Sequence, residues 1–387
     1  MTRISLVSCI TYDEEILYSR MSDCLALLDF NLSDLKNARV GVKPNLLTSS
    51  PPGKAIVTHP NIFRVICRIV RESGGVPVLI ESPAVQPLNR VLKKTGYMDI
   101  ISEDGIEVAD TEKTALLRSD RAVQYKSFEV IAELFNVDFI INLPKLKTHR
   151  LTHMTGAVKN LFGTVPGMRK ARCHMKARTP DCFSGLLLDL YACILTGFER
   201  PVPMLHLMDA VTAMEGEGPG ASGNPRHVGL LIAGTDAVAV DRVAAEITGL
   251  DWGKIDTVKM GGERNLGEAD PDRIDIAGAD LKEHIMTDFK VPGTSAGSSL
   301  MGMTFGSGII RQLLIEKPVP DSHACTLCYQ CMRICPAGAI SESINKKTPR
   351  FDLSRCIRCY CCMEVCPEAA ITVKPGRLQW IMDLAGG

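Results

Sequence analysis

What this sequence lacks already narrows what it can be. No apolar run approaches the ~18 residues a membrane-spanning helix needs. The nearest, 186–195, is short and broken by Asp189. The N-terminus, M-T-R-I-S-L-V-S-C-I-T-Y-D-E-E, has no long apolar core and meets acids early, so it does not read as a secretory signal. The 44 basic and 44 acidic residues cancel, which leaves no overall field to draw in nucleic acid. A nucleotide-binding G-x-x-x-x-G-K-S/T loop is absent, and no G-x-G-x-x-G is expected after a strand. These absences predict a cytoplasmic protein with neither membrane nor nucleic acid as partner.

Cysteine, by contrast, is plentiful and patterned. Eight of the 15 cysteines fall in two C-x2-C-x2-C-x3-C-P runs, C-T-L-C-Y-Q-C-M-R-I-C-P from Cys325 and C-I-R-C-Y-C-C-M-E-V-C-P from Cys356. Tyr329/Tyr360, Met332/Met363, Ala339/Ala370 and Ile340/Ile371 repeat with them, the mark of an internal duplication. Three thiolates spaced three apart each hold one iron of a cubane, and the cysteine before the proline serves the opposite cluster. Cys325, Cys328, Cys331 and Cys366 are thus assigned to one [4Fe-4S] cluster, and Cys356, Cys359, Cys362 and Cys335 to a second. Segment 320–375 resembles the bacterial two-cluster ferredoxin family, with every ligand position matched. Zinc sites pair their cysteines differently, and disulfides are not expected without an export signal. Cys9, Cys24, Cys67, Cys173, Cys182 and Cys193 read as small buried hydrophobes, and Cys361, between ligand positions, as a packing residue.

The first ~300 residues alternate apolar strands and helical segments, the pattern of an α/β domain with a mainly parallel sheet. Strands are predicted at 39–43, 77–81, 138–143, 204–209, 228–233 and 273–277, and helices at 60–72, 89–95, 128–134, 183–195, 237–248 and 256–264. A glycine-rich stretch, 290–308, and the Pro318/Pro320 pair lead into the cysteine runs. The expected organisation is an α/β domain over 1–315, followed by a small ferredoxin-like α+β two-cluster domain over 316–387.

Polar groups cluster just after the strands, where α/β sheets place their sites. They are Lys43-Pro44-Asn45, Glu81-Ser82-Pro83, Asn142 to His149, Asp209 with 214–225, and Gly234-Thr235-Asp236 with Asp241. A single polar pocket along the carboxyl ends is the expectation. From Phe139 to Pro180 there is no Asp or Glu, while Lys145, Lys147, Arg150, Lys159, Arg169, Lys170, Arg172, Lys176 and Arg178 occur there with His149, His153 and His174. Surfaces normally mix both signs, so this bias asks for an anionic partner, unless acids elsewhere such as Glu215 and Glu217 balance it. Gly156, Gly163 and Gly167 would let backbone approach a ligand. His149 and His153, four apart, would share a helix face if that segment were helical.

The stretches V-G-V-K-P-N-L-L, I-E-S-P, N-L-P-K-L-K-T-H, T-G-A-V-K-N-L-F-G, M-E-G-E-G-P and G-T-D-A-V-A-V-D resemble the domain-of-unknown-function 362 family over most of 38–250. The resemblance implies an α/β domain that often carries a C-terminal ferredoxin module. Its name assigns no chemistry.

The reading that follows is an iron–sulfur oxidoreductase. Electrons from an external donor or acceptor protein pass through two [4Fe-4S] clusters to a small anionic substrate or cofactor. Lys145, Lys147, His149 and His153 are the catalytic candidates, with Lys159 and Asn160 binding the cofactor. The alternative is a non-catalytic electron carrier or assembly adaptor whose basic stretch docks an acidic protein.

Overall fold

The computed structural model describes residues 1–292, 315–344 and 346–376. Of the glycine-rich 290–308 stretch, residues 293–308 lie outside the described residues. The strands of the larger domain are β1 (Thr2–Ser8), β2 (Arg39–Pro44), β3 (Val76–Leu79), β4 (Glu107–Val108), β5 (Thr114–Arg118), β6 (Ser127–Ile131), β7 (Phe139–Leu143), β8 (Lys145–His149), β9 (His153–Thr155), β10 (Met204–Gly216), β11 (Gly223–Gly234) and β12 (Ile274–Gly278). All except β5 and β6, which form their own hairpin, join one sheet in the order β12-β1-β11-β10-β7-β2-β3-β4, with β8 and β9 branching from β10.

Neighbours β10, β7, β2, β3 and β4 run parallel, as do β1 and β12. Only β11 reverses within the main order, pairing antiparallel to both β1 and β10. The inner strands are buried on both faces, which is why they read as continuous apolar runs. One face carries α1 (Glu14–Leu27), α2 (Pro60–Glu72), α3 (Leu88–Thr95) and α4 (Tyr97–Asp104), whose Leu17, Phe63, Leu92 and Tyr97 share a core with Val40, Val42 and Ile141. The other carries α5 (Ala157–Asn160), α6 (Arg169–Lys176), α7 (Pro180–Thr196), α8 (Ala237–Ile247) and α9 (Asp256–Glu263). There Phe183, Leu188, Val238 and Val258 pack with Ile140 and Met208. Helix α2 begins as its sequence suggests: His59 caps it through Asn61 N, and Pro60 occupies the first turn.

Several expectations change. Segment 128–134 is not helical. Residues Ser127–Ile131 alternate exposed and buried, pair with β5, and end in a 3-10 turn. Period two wins over helix propensity because one face of that hairpin rests on the core. Strands at 204–209 and 228–233 are the buried halves of the longer β10–β11 hairpin. The hairpin's connection, Gly218-Pro219-Gly220-Ala221-Ser222-Gly223, has the G-x-G-x-x-G spacing, but it joins two antiparallel strands and no helix follows. Strand β1 and helix α1 were not anticipated.

The C-terminal module contains β13 (Lys317–Pro320) paired with β16 (Ile371–Lys374), β14 (Ile340–Ser341) paired with β15 (Arg350–Phe351), and short helices α10 (Gln330–Ile334) and α11 (Cys361–Glu364). It docks on the α/β domain. Ile334, Cys361 and Val365 pack on Ala84 and Val85, and Gln86 Nε2 donates to Gln330 Oε1 at 2.7 Å. Arg150 pairs with both Glu217 and Glu316, with its guanidinium 5.7 Å from the Tyr360 ring centre.

Two glycines of the acid-free stretch make room for side chains of this chain rather than for a ligand. A Cβ on Gly156 would stand 2.0 Å from Asp241 Oδ1, the carboxylate that accepts from Ala157 N and Val158 N. A Cβ on Gly163 would stand 2.4 Å from both Glu81 Oε1 and Lys43 Nζ. Those two partners form a buried ion pair and have no space to retreat. Gly163→Ala is therefore expected to destabilise the fold by about 1–3 kcal/mol, the usual cost of overpacking. Denaturant unfolding of the variant beside the natural chain measures it.

Candidate functional site

The polar groups after β2, β3, β7 and β10 do converge at the carboxyl edge of the sheet. Lys43 Nζ bonds Glu81 Oε2 at 2.5 Å, and Lys145 Nζ bonds Asp209 Oδ2 at 2.8 Å and the Tyr12 hydroxyl at 2.9 Å. Lys147 Nζ donates to Asn45 Oδ1 at 2.8 Å and to the Ile56 carbonyl at 2.7 Å. All three lysines are about 1% exposed. Burial pushes each below the ordinary lysine range, Lys147 furthest because no carboxylate touches it. An amide chain links the groups. Asn45 Nδ2 donates to Asn160 Oδ1, Asn160 Nδ2 to Asn142 Oδ1, and Asn142 Nδ2 contacts His206 Nδ1 at 3.0 Å. The group around Thr235-Asp236 does not join them. It follows β11, the reversed strand, so it lies at the other edge, where Asp236 caps α8.

Lys145 and Lys147 thus direct their ammonium groups to partners inside the protein. His149 and His153 share a β8–β9 cross-strand pair, not a helix face. Three of the nine Lys and Arg residues of the acid-free stretch meet acids from elsewhere: Lys145 meets Asp209, Arg150 meets Glu217 and Glu316, and Arg169 meets Glu129. Part of the segment's charge is thus balanced by acids from other elements and from the C-terminal module.

One cavity, of about 80 Å³, opens at the seam between the two modules. The α/β domain contributes Asn45, Ser82, Lys159, Asn160, Lys170 and His174 to its wall; the cysteine module contributes Ile334, Cys361, Glu364 and Val365. Lys170 donates to the Ser82 carbonyl and is pushed down to about 8 by burial. His174 stacks on Phe183 at 4.1 Å, and its Nδ1 is buried without a hydrogen-bond partner. His149 Nδ1 accepts from Leu151 N and Thr152 N, so its proton sits on Nε2, 3.1 Å from Glu364 Oε1. That contact lacks the alignment of a full hydrogen bond. Burial raises the Glu364 carboxyl, but His149 and Lys159 outweigh it and hold the group below the usual range. Lys159, partly buried, makes no hydrogen bond or ion pair among the described residues. Asn45 stood among the polar groups expected after the strands, and Lys170 and His174 in the basic stretch, but Glu364 was not singled out from the sequence. The contacts that bring them together join positions up to about 320 residues apart, and no local pattern records that.

The eight cysteines gather as the spacing requires. Cys325, Cys328, Cys331 and Cys366 line one cavity, and Cys335, Cys356, Cys359 and Cys362 line another. The duplication extends to the backbone. Leu327 and Tyr329 are left-handed, and so are Arg358 and Tyr360; Gly338 and Ala369 match likewise. Each crossing cysteine accepts a backbone N–H at sulfur, from Ala339 at 3.2 Å and from Ala370 at 3.3 Å. Such bonds stabilise the more negative state of a cluster's sulfurs and tune its potential. Among the described residues no three His, Cys, Asp or Glu approach closely enough to share one ion. Four thiolates around a single zinc, each at ~2.3 Å, would crowd closer than four that each hold a separate iron. The donor set fits cubanes.

Three buried histidines carry a pH dependence. Burial pushes His149 and His174 down to about 4 and His206 to about 3, whereas unfolded histidine titrates near 6.5. Folded values lie below unfolded ones, so this stability is complete above about pH 6.5 and is lost as pH falls toward 4. Each neutral buried histidine is expected to steepen the loss by about 1.4 kcal/mol per pH unit. Removing the titrating group in His206→Gln should flatten the slope between pH 6 and 5 by about that amount, measured by denaturant unfolding at both pH values.

Comparison with known proteins agrees with this architecture. Residues 40–246 match the family described as domain of unknown function DUF362, and residues 317–367 match a 4Fe-4S dicluster domain. The thylakoid-associated protein sll1697 of Synechocystis sp. is 35% identical over 230 residues, 59% of this chain and 68% of the relative. Among solved structures, a Thermotoga maritima protein aligns at 14% identity and TM-score 0.35, over 65% of this chain and 59% of its own. The lactate racemase apoprotein of Thermoanaerobacterium thermosaccharolyticum aligns at 12% and 0.35, over 61% and 54%. Both matches span less than two thirds of the solved chain. Among the described residues no helix is long and apolar enough to cross a membrane. This chain belongs to the DUF362 family and is an iron–sulfur protein that carries a [4Fe-4S] ferredoxin-type domain.

Proposed function

We infer that the chain is an oxidoreductase holding two [4Fe-4S] clusters, one per cysteine quartet, which reduces or oxidises a small anionic molecule bound in the seam cavity. The observation that carries this is the position of Cys361. It sits between Cys359 and Cys362 of one quartet, is 4% exposed, and lines the cavity. The wall of the cavity is thus the protein shell of that quartet, and electrons need cross only a residue or two to reach a ligand there. Bound clusters supply one-electron transfer at low potential. The chain's own residues bind and orient the partner molecule.

The two quartets differ in exposure, which suggests a direction. Cys328 of the outer quartet is exposed, a suitable contact for an external electron-carrier protein. The quartet of Cys335, Cys356, Cys359 and Cys362 adjoins the α/β domain. Lys159 takes the role of anion ligand that Lys145 and Lys147 were expected to share, because their ammonium groups are already bonded. Asn160 and Asn45 hold the cavity floor through the amide chain. His149 serves as a brace for Glu364, and His153, which does not line the cavity, has no part.

Protein prepared without oxygen should contain ~8 iron and ~8 sulfide per chain. Cys335→Ser and Cys331→Ser should each damage a different cluster, seen as separable changes in the electron-paramagnetic spectrum. Cys361→Ala should keep its iron. Four iron per full-length chain at saturation would sink the two-cluster assignment.

Function is tested by reducing the clusters chemically, then timing their reoxidation on adding each of a panel of small carboxylates. For an acceptor that uses the cavity, Lys159→Gln should slow the reaction about tenfold or more. A charge-assisted hydrogen bond is worth roughly 1.5–3 kcal/mol, or one to two decades. If no carboxylate reoxidises the natural protein faster than Lys159→Gln, the carrier or adaptor reading replaces this one.

A further inference from the structure

The charges on the cavity wall have a pattern that a simple anion does not satisfy. Lys159, from the α/β domain, and Glu364, from the cysteine module, face the same space and attract one another. They form no ion pair within 4.0 Å among the described residues, and Lys159 has no other partner. Glu364 Oε1 is buried and meets only the poorly aligned His149 Nε2–H, so the carboxylate lacks an aligned donor. Opposite charges shielded from water and held apart are costly unless a bound group bridges them. His174, 7% exposed and with Nδ1 unpartnered, lines the same cavity. Glu81, paired with Lys43, and Lys170, bonded to the Ser82 carbonyl, also line the cavity, and much of the remaining wall is apolar: Leu46, Leu47, Phe162, Ile334 and Val365.

The geometry points to a zwitterionic ligand with an apolar body, of the α-amino acid class, its carboxylate on Lys159 and its ammonium on Glu364. This rests on the seam cavity being the substrate site and narrows what that site takes. A ligand with only a carboxylate would satisfy Lys159 and leave a second negative charge beside Glu364. A ligand with only an ammonium would do the reverse. A ligand with both brings the two modules' opposed charges to balance across one molecule. Because one charge comes from each module, such a ligand would also reinforce their docking.

The test is calorimetric binding to the intact, cluster-loaded protein, with three probes of one shape: L-norleucine, hexanoate, which lacks the ammonium, and pentylamine, which lacks the carboxylate. Norleucine is expected to bind at least about tenfold more tightly than either analogue, the scale of one charge-assisted bond in a partly dry site. Lys159→Gln should remove its advantage over pentylamine, and Glu364→Gln its advantage over hexanoate, with iron content checked in both. The comparison of probes on the natural protein decides the matter even if Glu364→Gln loosens the module. If hexanoate binds as well as norleucine, and through Lys159, the site takes anions and this inference falls while the function above stands. If no probe binds, or binding ignores Lys159, both fall.

Discussion

The carboxyl edge of the sheet is organised around lysine ammonium groups that have been taken out of water. Lys43, Lys145 and Lys147 each end at a fully buried Nζ, and their neighbours are arranged to hold them there. Glu81 and Asp209 supply opposite charge to two of them, and a backbone carbonyl and an amide oxygen serve the third. Removing one partner of such a pair typically costs 3–5 kcal/mol, because the remaining charge stays buried. That constraint explains residues far apart in sequence. Gly163 has no side chain because Lys43 and Glu81 lie against it, and Tyr12 reaches across from the start of the chain to Asp209 and Lys145.

The same edge receives the cysteine module. Arg150 and His149 sit at the tip of β8, so the strand that buries Lys145 and Lys147 also presents the contacts for Glu316 and Glu364. The β10–β11 hairpin helps from the other side. A Cβ on Gly220 would stand 2.6 Å from the Glu364 carbonyl, so the backbone of the two modules meets there almost directly. A cavity at such a seam combines fixed charges from a rigid sheet with a wall that belongs to a metal-binding loop. Neither module forms it alone.

Much of this was written locally in the sequence. The two cysteine runs carry a [4Fe-4S] ferredoxin-type pattern in their spacing, and the cysteines gather into the two groups that this spacing predicts. Strands β2, β3 and β7 announce themselves as apolar runs because they are buried on both faces. Helix α2 is bounded by His59-Pro60 and Gly74-Gly75, and its limits are determined by local chemistry, the His59 side-chain cap, the fixed φ of Pro60 and the glycines beyond its end. The polar groups after the parallel strands were legible too, because the carboxyl ends of a parallel sheet come together whatever the loops do.

Other features had no local record. Which lysines are paired depends on acids from other elements, Glu81 for Lys43 and Asp209 for Lys145, while Lys159 meets none within 4.0 Å among the described residues. The direction of β11, and hence the side to which Asp236 falls, followed from a hairpin whose glycine spacing suggested nothing of the kind. Cys361 read correctly as a packing residue, but only docking turned its packing surface into the wall of a cavity. Spacing along the chain determined the metal-binding chemistry, because a thiolate loop is a local object. The pairing of charges across a seam is set by long-range packing, so only the tertiary structure decided which lysines meet an acid and which do not.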